Sequence, residues 1–362
     1  MSQSERKSNM ELLRLILMVF IVAHHFIVHG LKTAGYYGPD TTTMGLTVNS
    51  FVIVGVNGFV LISGYFGIRA RWESFLRLYL MLVFYALVFF FCIWAYTGEV
   101  SPVHFLTRFL PFSHEEGYWF IGAYFLLFLL SPLLELSIKY LDRRRFLMVL
   151  GVLGFIEFYL GFFWPSSVVN RGYSLYSFIF LYYLGRYLCQ YQPPDVRKRR
   201  YLYLFGYVAF SAATAGAALL FNAVKLEYTI TYAFAYSSPL VVGASVCLLL
   251  FFRSLSIQSK PINWLAASVL SAYLVQEQVF FRNYIYGWIY EMREYYHDGL
   301  KDMLFVGARV GLLSVMFVIT CIWLDKAREY LMRPLMKLLL RIDVDGMIRR
   351  AATRLSGAEN HD

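Results

Sequence analysis

The sequence predicts an all-α membrane protein of about ten transmembrane helices with both termini in the cytosol. Three observations carry this: composition, the length of the apolar runs, and the placement of basic residues between them. The chain is 59% hydrophobic, 19% aromatic and only 15% charged, with a mean hydropathy of +0.54. A soluble domain carries about 25% charged residues and has no means of hiding so much apolar surface. Lipid as solvent removes the conflict, and abundant Trp, Tyr and Phe suit the membrane–water interfaces.

A crossing helix needs about 20 largely apolar residues. Such runs fall at 11–31, 46–67, 74–97, 117–138, 145–163, 172–190, 201–221, 231–252, 262–283 and 303–325. The run 102–112 is too short to cross and reads as a re-entrant or interfacial piece. The first run resembles a signal peptide behind Arg6 and Lys7, but it is long, contains Arg14 and lacks a good small-residue cleavage pattern, so it is expected to be retained.

Basic residues test the count independently. With the N-terminus inside, cytosolic segments hold Arg6 and Lys7, then Arg69, Arg71 and Arg77, then Lys139 and Arg143 to Arg145, then Arg197 to Arg200, then Arg253 and Lys260, then the tail. External segments hold only scattered cations: Lys32, Arg108, Arg171, Lys225, Arg282, Arg293 and Lys301. This alternation is what the positive-inside rule requires, and an even number of spans returns both ends to the cytosol. It also accounts for most of the net charge of +10 without nucleic acid as a partner. The membrane domain is expected over 1–326. Beyond it, Arg328, Arg333, Lys337 and Arg341 alternate with Leu331, Leu335, Leu338 and Ile342, which predicts an amphipathic helix on anionic lipid within a 327–362 tail whose end, from Ser356, is disordered. Cys92, Cys189, Cys247 and Cys321 form no C-x-x-C pair and are expected to be buried free thiols.

Ionisable groups inside a span are costly and mark candidate sites. In the first span Arg14 and His25 are eleven residues apart, about 20° around the helix and about 16 Å along it. Glu11 and His29 lie on an adjacent stripe, and His24 is the neighbour of His25. Imidazole titrates near neutrality, so His25 is a candidate general base or transient acyl acceptor; a hydrogen-bonded core histidine is the alternative. His25 and His29 have metal-ligand spacing but no accompanying carboxylate motif, and no metal is expected. The ninth run contains Ser271, Tyr273, Gln276, Glu277 and Gln278. Its Glu277 should lie at the depth of His25, either orienting it or binding an acceptor hydroxyl, or else pairing with Arg282 or Arg309. Glu157 is a further buried carboxylate. The second span carries Asn57, Ser63 and Gly64, which suit either packing or site lining. Arg69, Arg71 and Arg77 read either as an ordinary basic loop or as forked donors for phosphate.

The order of these residues resembles acyltransferase family 3, the bacterial integral-membrane enzymes that O-acylate surface polysaccharides and related glycans. "ELLRLILMVFIVAHHF" places a Leu-Arg pair at Leu13 and Arg14 and a histidine at His25. "NGFVLISGYFGI" matches an apolar-Ser-Gly-aromatic ending at Ser63, Gly64 and Tyr65, and "FLRLY" follows at Phe75 to Tyr79. "YWFIGAYFLLFLLSPLL" matches a Trp-Phe…Tyr…Ser-Pro helix at Trp119, Phe120, Tyr124, Ser131 and Pro132. The resemblance spans nearly the whole chain. The family's basic segment has paired arginines and a proline where Arg77 stands alone, and a histidine where "SAYLVQE" has Gln276.

The resemblance implies a cytosolic acyl-coenzyme A donor, commonly acetyl, used as a substrate with no permanently bound cofactor. It also implies a glycan or lipid-linked glycan acceptor and residence in the bacterial cytoplasmic membrane. His25 and Glu277 are then the candidate catalytic pair. Arg14, Arg69, Arg71 and Arg77 are candidate donor-phosphate ligands, and His24, His29, Asn57, Ser63, Trp119, Tyr273 and Gln276 candidate site lining. The length leaves no room for the extracytoplasmic hydrolase-like domain of some members, so the acceptor is expected to be handled by the membrane domain or another protein. The rival class is a proton-coupled transporter or flippase of a glycan intermediate, which buried His, Glu and Arg also suit. It would be expected to show repeated halves and paired broken helices, and none is visible in the sequence. A purely structural scaffold would not need aligned polar groups.

Overall fold

The computed structural model describes residues 7–34, 41–98, 105, 118–191, 195–225, 227–292, 300–347 and 350, and every element among them is helical. The short run 102–112, apart from Phe105, and the tail end from Ser356 lie outside the described residues. The helices are α1 (Ser8–His25), extended by a π-helical turn (Phe26–Leu31), α2 (Thr43–Val52), α3 (Gly55–Phe66), α4 (Trp72–Thr97), α5 (Trp119–Lys139) and α6 (Arg143–Phe158), the last continued by a second π turn (Tyr159–Phe163). There follow α7 (Leu175–Gln190), α8 (Arg200–Ala223), α9 (Glu227–Ala233), α10 (Pro239–Ser254), α11 (Lys260–Ala266), α12 (Leu270–Gln276), α13 (Val279–Glu291) and α14 (Leu300–Leu339).

Among the described residues, seven helical segments are long and apolar enough to cross a membrane: Ser8–Leu31, Thr43–Phe66, Trp72–Thr97, Trp119–Lys139, Arg143–Phe163, Arg200–Ala223 and Leu304–Met347. The protein is therefore an integral membrane protein. The other three expected runs take different forms. The sixth and eighth are the 16-residue helices α7 and α10. Ser174 caps the start of α7 by accepting from Ser177 N, and Pro239 sits at the first turn of α10, so each helix begins later than hydropathy alone suggests. The ninth run is divided into α11, α12 and α13.

The chain forms two compact units. One comprises 1–68 and 115–322, the other 69–114 and 323–362. In the first, α1 runs against α2, α3, α10, α11 and α12, and α3 lies along α7. The α3–α7 contact is close because both helices present glycine there. A side chain at Gly64 would meet the Tyr182 backbone, and one at Gly185 would meet the Leu61 carbonyl and Tyr65 N. Without water to drive apolar burial, such small-residue contacts are a main source of helix association in lipid. Tyr182 OH then donates to Glu135 (2.5 Å) and accepts from Ile68 N (2.9 Å), and Arg186 pairs with Glu135 (3.1 Å). These four groups tie the ends of α3, α5 and α7 beside a cavity of about 630 Å³.

In the second unit α4 and the distal part of α14 carry the contacts. Tyr85 OH donates to Asp325 (3.2 Å), and Trp72 N donates to Asp345 (3.1 Å), which caps the otherwise uncapped start of α4. No break in α14 separates the last apolar run from the basic stretch that follows, so the two form one helix. All four cysteines are free, but of the four expected to be buried only Cys321 is; Cys189 and Cys247 are partly exposed and Cys92 is exposed. It lies on the outward side of α4 with Phe91 and Trp94, a face whose apolar character suits lipid.

Candidate active site

The site begins with three histidines on one helix. His24 and His25 close α1, and the π turn that follows carries His29; the His24–His25 and His25–His29 ring centroids are each 5.3 Å apart. π turns are uncommon and tend to occur where a side chain must be re-aimed. His24 is fixed by Asn49 of α2, with Nδ1 2.6 Å from Oδ1. This contact ties the end of α1 to α2.

The partner of His25 comes from the broken ninth run. α12 ends at Gln276, Glu277 is the cap, and Gln278 is extended at φ −68°, ψ 122° before α13 begins. Non-helical backbone at membrane depth is tolerated only where protein buries it or it lines a cavity. Here Tyr118 supplies the missing partner, its hydroxyl donating to the Leu274 carbonyl (2.8 Å) while accepting from the side-chain amide of Gln278. Tyr273, one turn before the break, packs against Tyr118 and Phe120.

The break brings Gln276 and Glu277 together on His25. Nδ1 of His25 is 2.6 Å from the Gln276 amide and 3.1 Å from Glu277 Oε1. A single ring nitrogen serves one of these at a time, and among the described residues no donor besides it meets Gln276 Oε1 or Glu277 Oε1. Both are acceptors, and the Gln276 oxygen and nitrogen exchange places by a simple amide flip. The tautomer follows the Gln276 amide: with its Nε2 facing His25 the ring proton sits on the imidazole Nε2, and with its Oε1 facing His25 the proton sits on Nδ1 and Nε2 keeps a free lone pair. On the far side, Arg282 of α13 lies 3.8 Å from Glu277 Oε2 and donates to His29 Nδ1 at 3.3 Å. His29 stacks on Tyr286 at 5.7 Å. Glu277 is 5% exposed and Gln276 2%. The result is a partly buried line, Arg282–Glu277–His25, with Glu277 the most deeply buried of the three, flanked by Gln276 and His29. No three His, Cys, Asp or Glu side chains among the described residues converge as a metal-binding group.

The remaining sequence candidates fall elsewhere. Arg14 is three turns back along α1 and pairs with Glu11 at 3.3 Å. Asn57 donates to the Tyr236 carbonyl (2.8 Å), and Ser63 bonds its own helix and lies 3.2 Å from the Tyr124 hydroxyl, so these two tie helices together. Glu157 accepts from Ser177 at 2.9 Å, away from the histidines. Trp119 packs with Tyr173 and Tyr236. In the second unit Arg69 and Arg71 are exposed and Arg77 pairs with Glu73 at 2.7 Å. Sequence reading left Asn49, Tyr118 and Tyr286 unnoticed and treated Arg282 only as a structural partner. Only Arg282, five residues after Glu277, gave a signal.

A family model described as an acyltransferase domain, that of acyltransferase family 3, matches residues 7–326. The chain belongs to acyltransferase family 3. Searches of curated proteins and of solved structures returned no match. Family membership makes the protein a membrane acyltransferase, and the His25 group, wholly inside the matched region, is its candidate active site.

Proposed function

We propose that the protein transfers an acyl group, specifically acetyl, from cytosolic acyl-coenzyme A to a hydroxyl of a cell-surface polysaccharide or its lipid-linked precursor. The observation that carries this is the position of His25 Nδ1 between Gln276 and Glu277. A carboxylate on one ring nitrogen fixes the tautomer and leaves the other nitrogen basic, the logic of a histidine base oriented by a third group. His25 Nε2 takes the acceptor proton as the hydroxyl oxygen attacks the thioester carbonyl. The C–S bond then breaks, and the imidazolium returns the proton to the departing thiolate. Glu277 stabilises the transient cation, and Arg282 keeps that carboxylate in place.

The donor reaches this group from the cytosolic side. We assign phosphate recognition to Arg14 and, in the second unit, to Arg69, Arg71 and Arg77, whose guanidinium groups suit phosphoryl oxygens. Ten membrane-traversing segments with both ends cytosolic, in the bacterial cytoplasmic membrane, complete the reading. Its basis is the alternation of basic loops.

The test is label transfer from acetyl-labelled coenzyme A to host glycan, in membranes holding equal amounts of intact protein or His25→Ala. Loss of transfer by about 10²- to 10⁴-fold is expected, the usual contribution of general acid–base catalysis. Equal labelling by both proteins would remove His25 from the chemistry.

A further inference from the structure

A second group of side chains meets where the start of α5, the 170–173 turn and the 234–238 segment come together, and the His25 chemistry does not use it. Asn170, Arg171 and Gly172 take φ of 47°, 54° and 94°, three successive residues in a region that non-glycine residues rarely occupy. Gly172 is required there, since a Cβ would lie 2.5 Å from that of Tyr236. The turn closes onto the 234–238 segment through Ser237 N to the Arg171 carbonyl (3.3 Å). It thereby sets Tyr173 against Tyr236, with ring centroids 4.9 Å apart. Trp119, at the start of α5, completes the group at 4.5 Å from Tyr173 and 5.7 Å from Tyr236.

An aromatic belt for lipid headgroups does not explain this group. Tyr236 is only 4% exposed, and Asn57 holds its carbonyl from α3. The surroundings are also more polar than lipid packing calls for. Asn57 Oδ1, Ser237 Oγ and Ser238 Oγ are buried without a hydrogen-bond partner, and a buried polar atom in that state needs an explanation. Arg171 sits over the Tyr232 ring at 4.0 Å and donates to Thr231, which leaves further guanidinium N–H groups for a ligand. Aromatic faces present negative charge to polarised C–H groups. The exposed Tyr173 ring and the partly exposed Trp119, offered together with the Arg171 guanidinium, suit a ligand that has an apolar C–H face and a hydroxylated rim, which is the chemistry of a pyranose.

The position is consistent with acceptor delivery. Tyr118, Trp119 and Phe120 are consecutive; the first bonds α12 at Leu274 and the third packs on Tyr273, one helical turn before Gln276. In the orientation given by the basic loops, Arg171 and the starts of α5, α7 and α10 are extracytoplasmic. We propose that Trp119 and Tyr173, backed by the buried Tyr236 and with Arg171 beside them, form a stacking platform that holds a pyranose ring of the acceptor. The role as an acceptor subsite rests on the transferase reading above; sugar binding itself does not.

The test uses the full chain in lipid nanodiscs and saturation-transfer NMR. The probes are the methyl pyranosides of glucose, galactose, mannose, rhamnose and N-acetylglucosamine, with sorbitol as the acyclic control. At least one pyranoside should receive saturation on its ring C–H protons and be displaced by its unmodified sugar. Trp119→Ala and Tyr173→Ala should each weaken that signal roughly tenfold, about the loss of one good ring contact. Tyr173→Phe should retain it, and so should His25→Ala. Size-exclusion profiles matching the parent protein keep misfolding from imitating a loss, and Tyr173→Phe provides a second check at the same position. Signals no stronger than sorbitol in the parent protein would overturn the platform, as would signals unchanged in both alanine variants. Sugar binding without acetyl transfer would instead sink the transferase reading and leave the platform standing. Transfer lost only in His25→Ala, with sugar binding unaltered in the alanine variants, would do the reverse.

Discussion

Two buried carboxylates in this protein have the same neighbours in kind and opposite degrees of satisfaction. Asp325 of the second unit is 1% exposed, and every oxygen is used: Oδ1 accepts from Arg328 Nε (2.6 Å) and Tyr85 OH (3.2 Å), and Oδ2 from Arg328 Nη2 (3.2 Å). Its arginine lies one turn along the same unbroken helix. Glu277 of the first unit is 5% exposed and meets Arg282 only at 3.8 Å, across a helix break, while its Oε1 faces just His25 Nδ1, at 3.1 Å, for which Gln276 competes. A saturated pair has one arrangement and serves the fold. An under-satisfied carboxylate beside a histidine is able to accept a proton-bearing partner, and protein chemistry spends such imperfections at sites of reaction.

The contrast is broken most severely at Asp325. Asp325→Ala leaves Arg328, 8% exposed, as a buried cation without its carboxylate. Breaking such a pair costs about 3–5 kcal/mol. The expected result is a large fall in the thermal midpoint of the purified protein, with the specific transfer activity of the folded fraction unchanged. Activity that dropped while the midpoint held would mean that Asp325 is no mere structural anchor.

Glu277→Gln tests the other side and is expected to give the opposite pattern. The amide keeps the shape and removes a charge whose burial is costly, so stability should hold or rise. Where a carboxylate orients a metal-bound histidine, its loss costs about 10- to 100-fold, and the same order is expected here in kcat. Steady-state label transfer and a thermal scan on the same preparation decide it. A destabilised protein of normal turnover would make Glu277 a second Asp325.

These differences also mark how far the sequence could be read. Membrane residence and an all-helical fold follow from composition and run length, since lipid solvation constrains both strongly. The approach of Glu277 to His25 was half legible: similar depth on helices expected to run the same way put the two together, pairing with Arg282 read equally well, and both contacts are present. The break at Glu277–Gln278 was not legible, because hydropathy counts transfer free energy and is blind to a hydroxyl arriving from another helix. Tyr118 adjoins the fourth apolar run and carries no mark of its attachment to Leu274. The same blindness made α7 and α10 look longer than they are. Asn57 and Ser63 had the composition of site residues, but their amide and hydroxyl are used for helix contacts.

The finest test compares two tyrosines. Tyr118→Phe keeps the ring against Tyr273 but deprives both the Leu274 carbonyl and the Gln278 side-chain amide of a partner. An unsatisfied buried group costs about 1–3 kcal/mol, and relaxation of the broken turn moves Gln276 and Glu277, three residues apart at most from those groups, relative to His25. The expected outcome is a several-fold lower kcat with a modest fall in thermal midpoint, at unchanged donor KM. Tyr85→Phe removes one of three bonds to Asp325 and leaves both from Arg328 in place, so turnover should stay at the parental level. If the two variants turned over alike, the break in the ninth run would be a feature of packing alone, and its hydroxyl support would have no part in positioning the base.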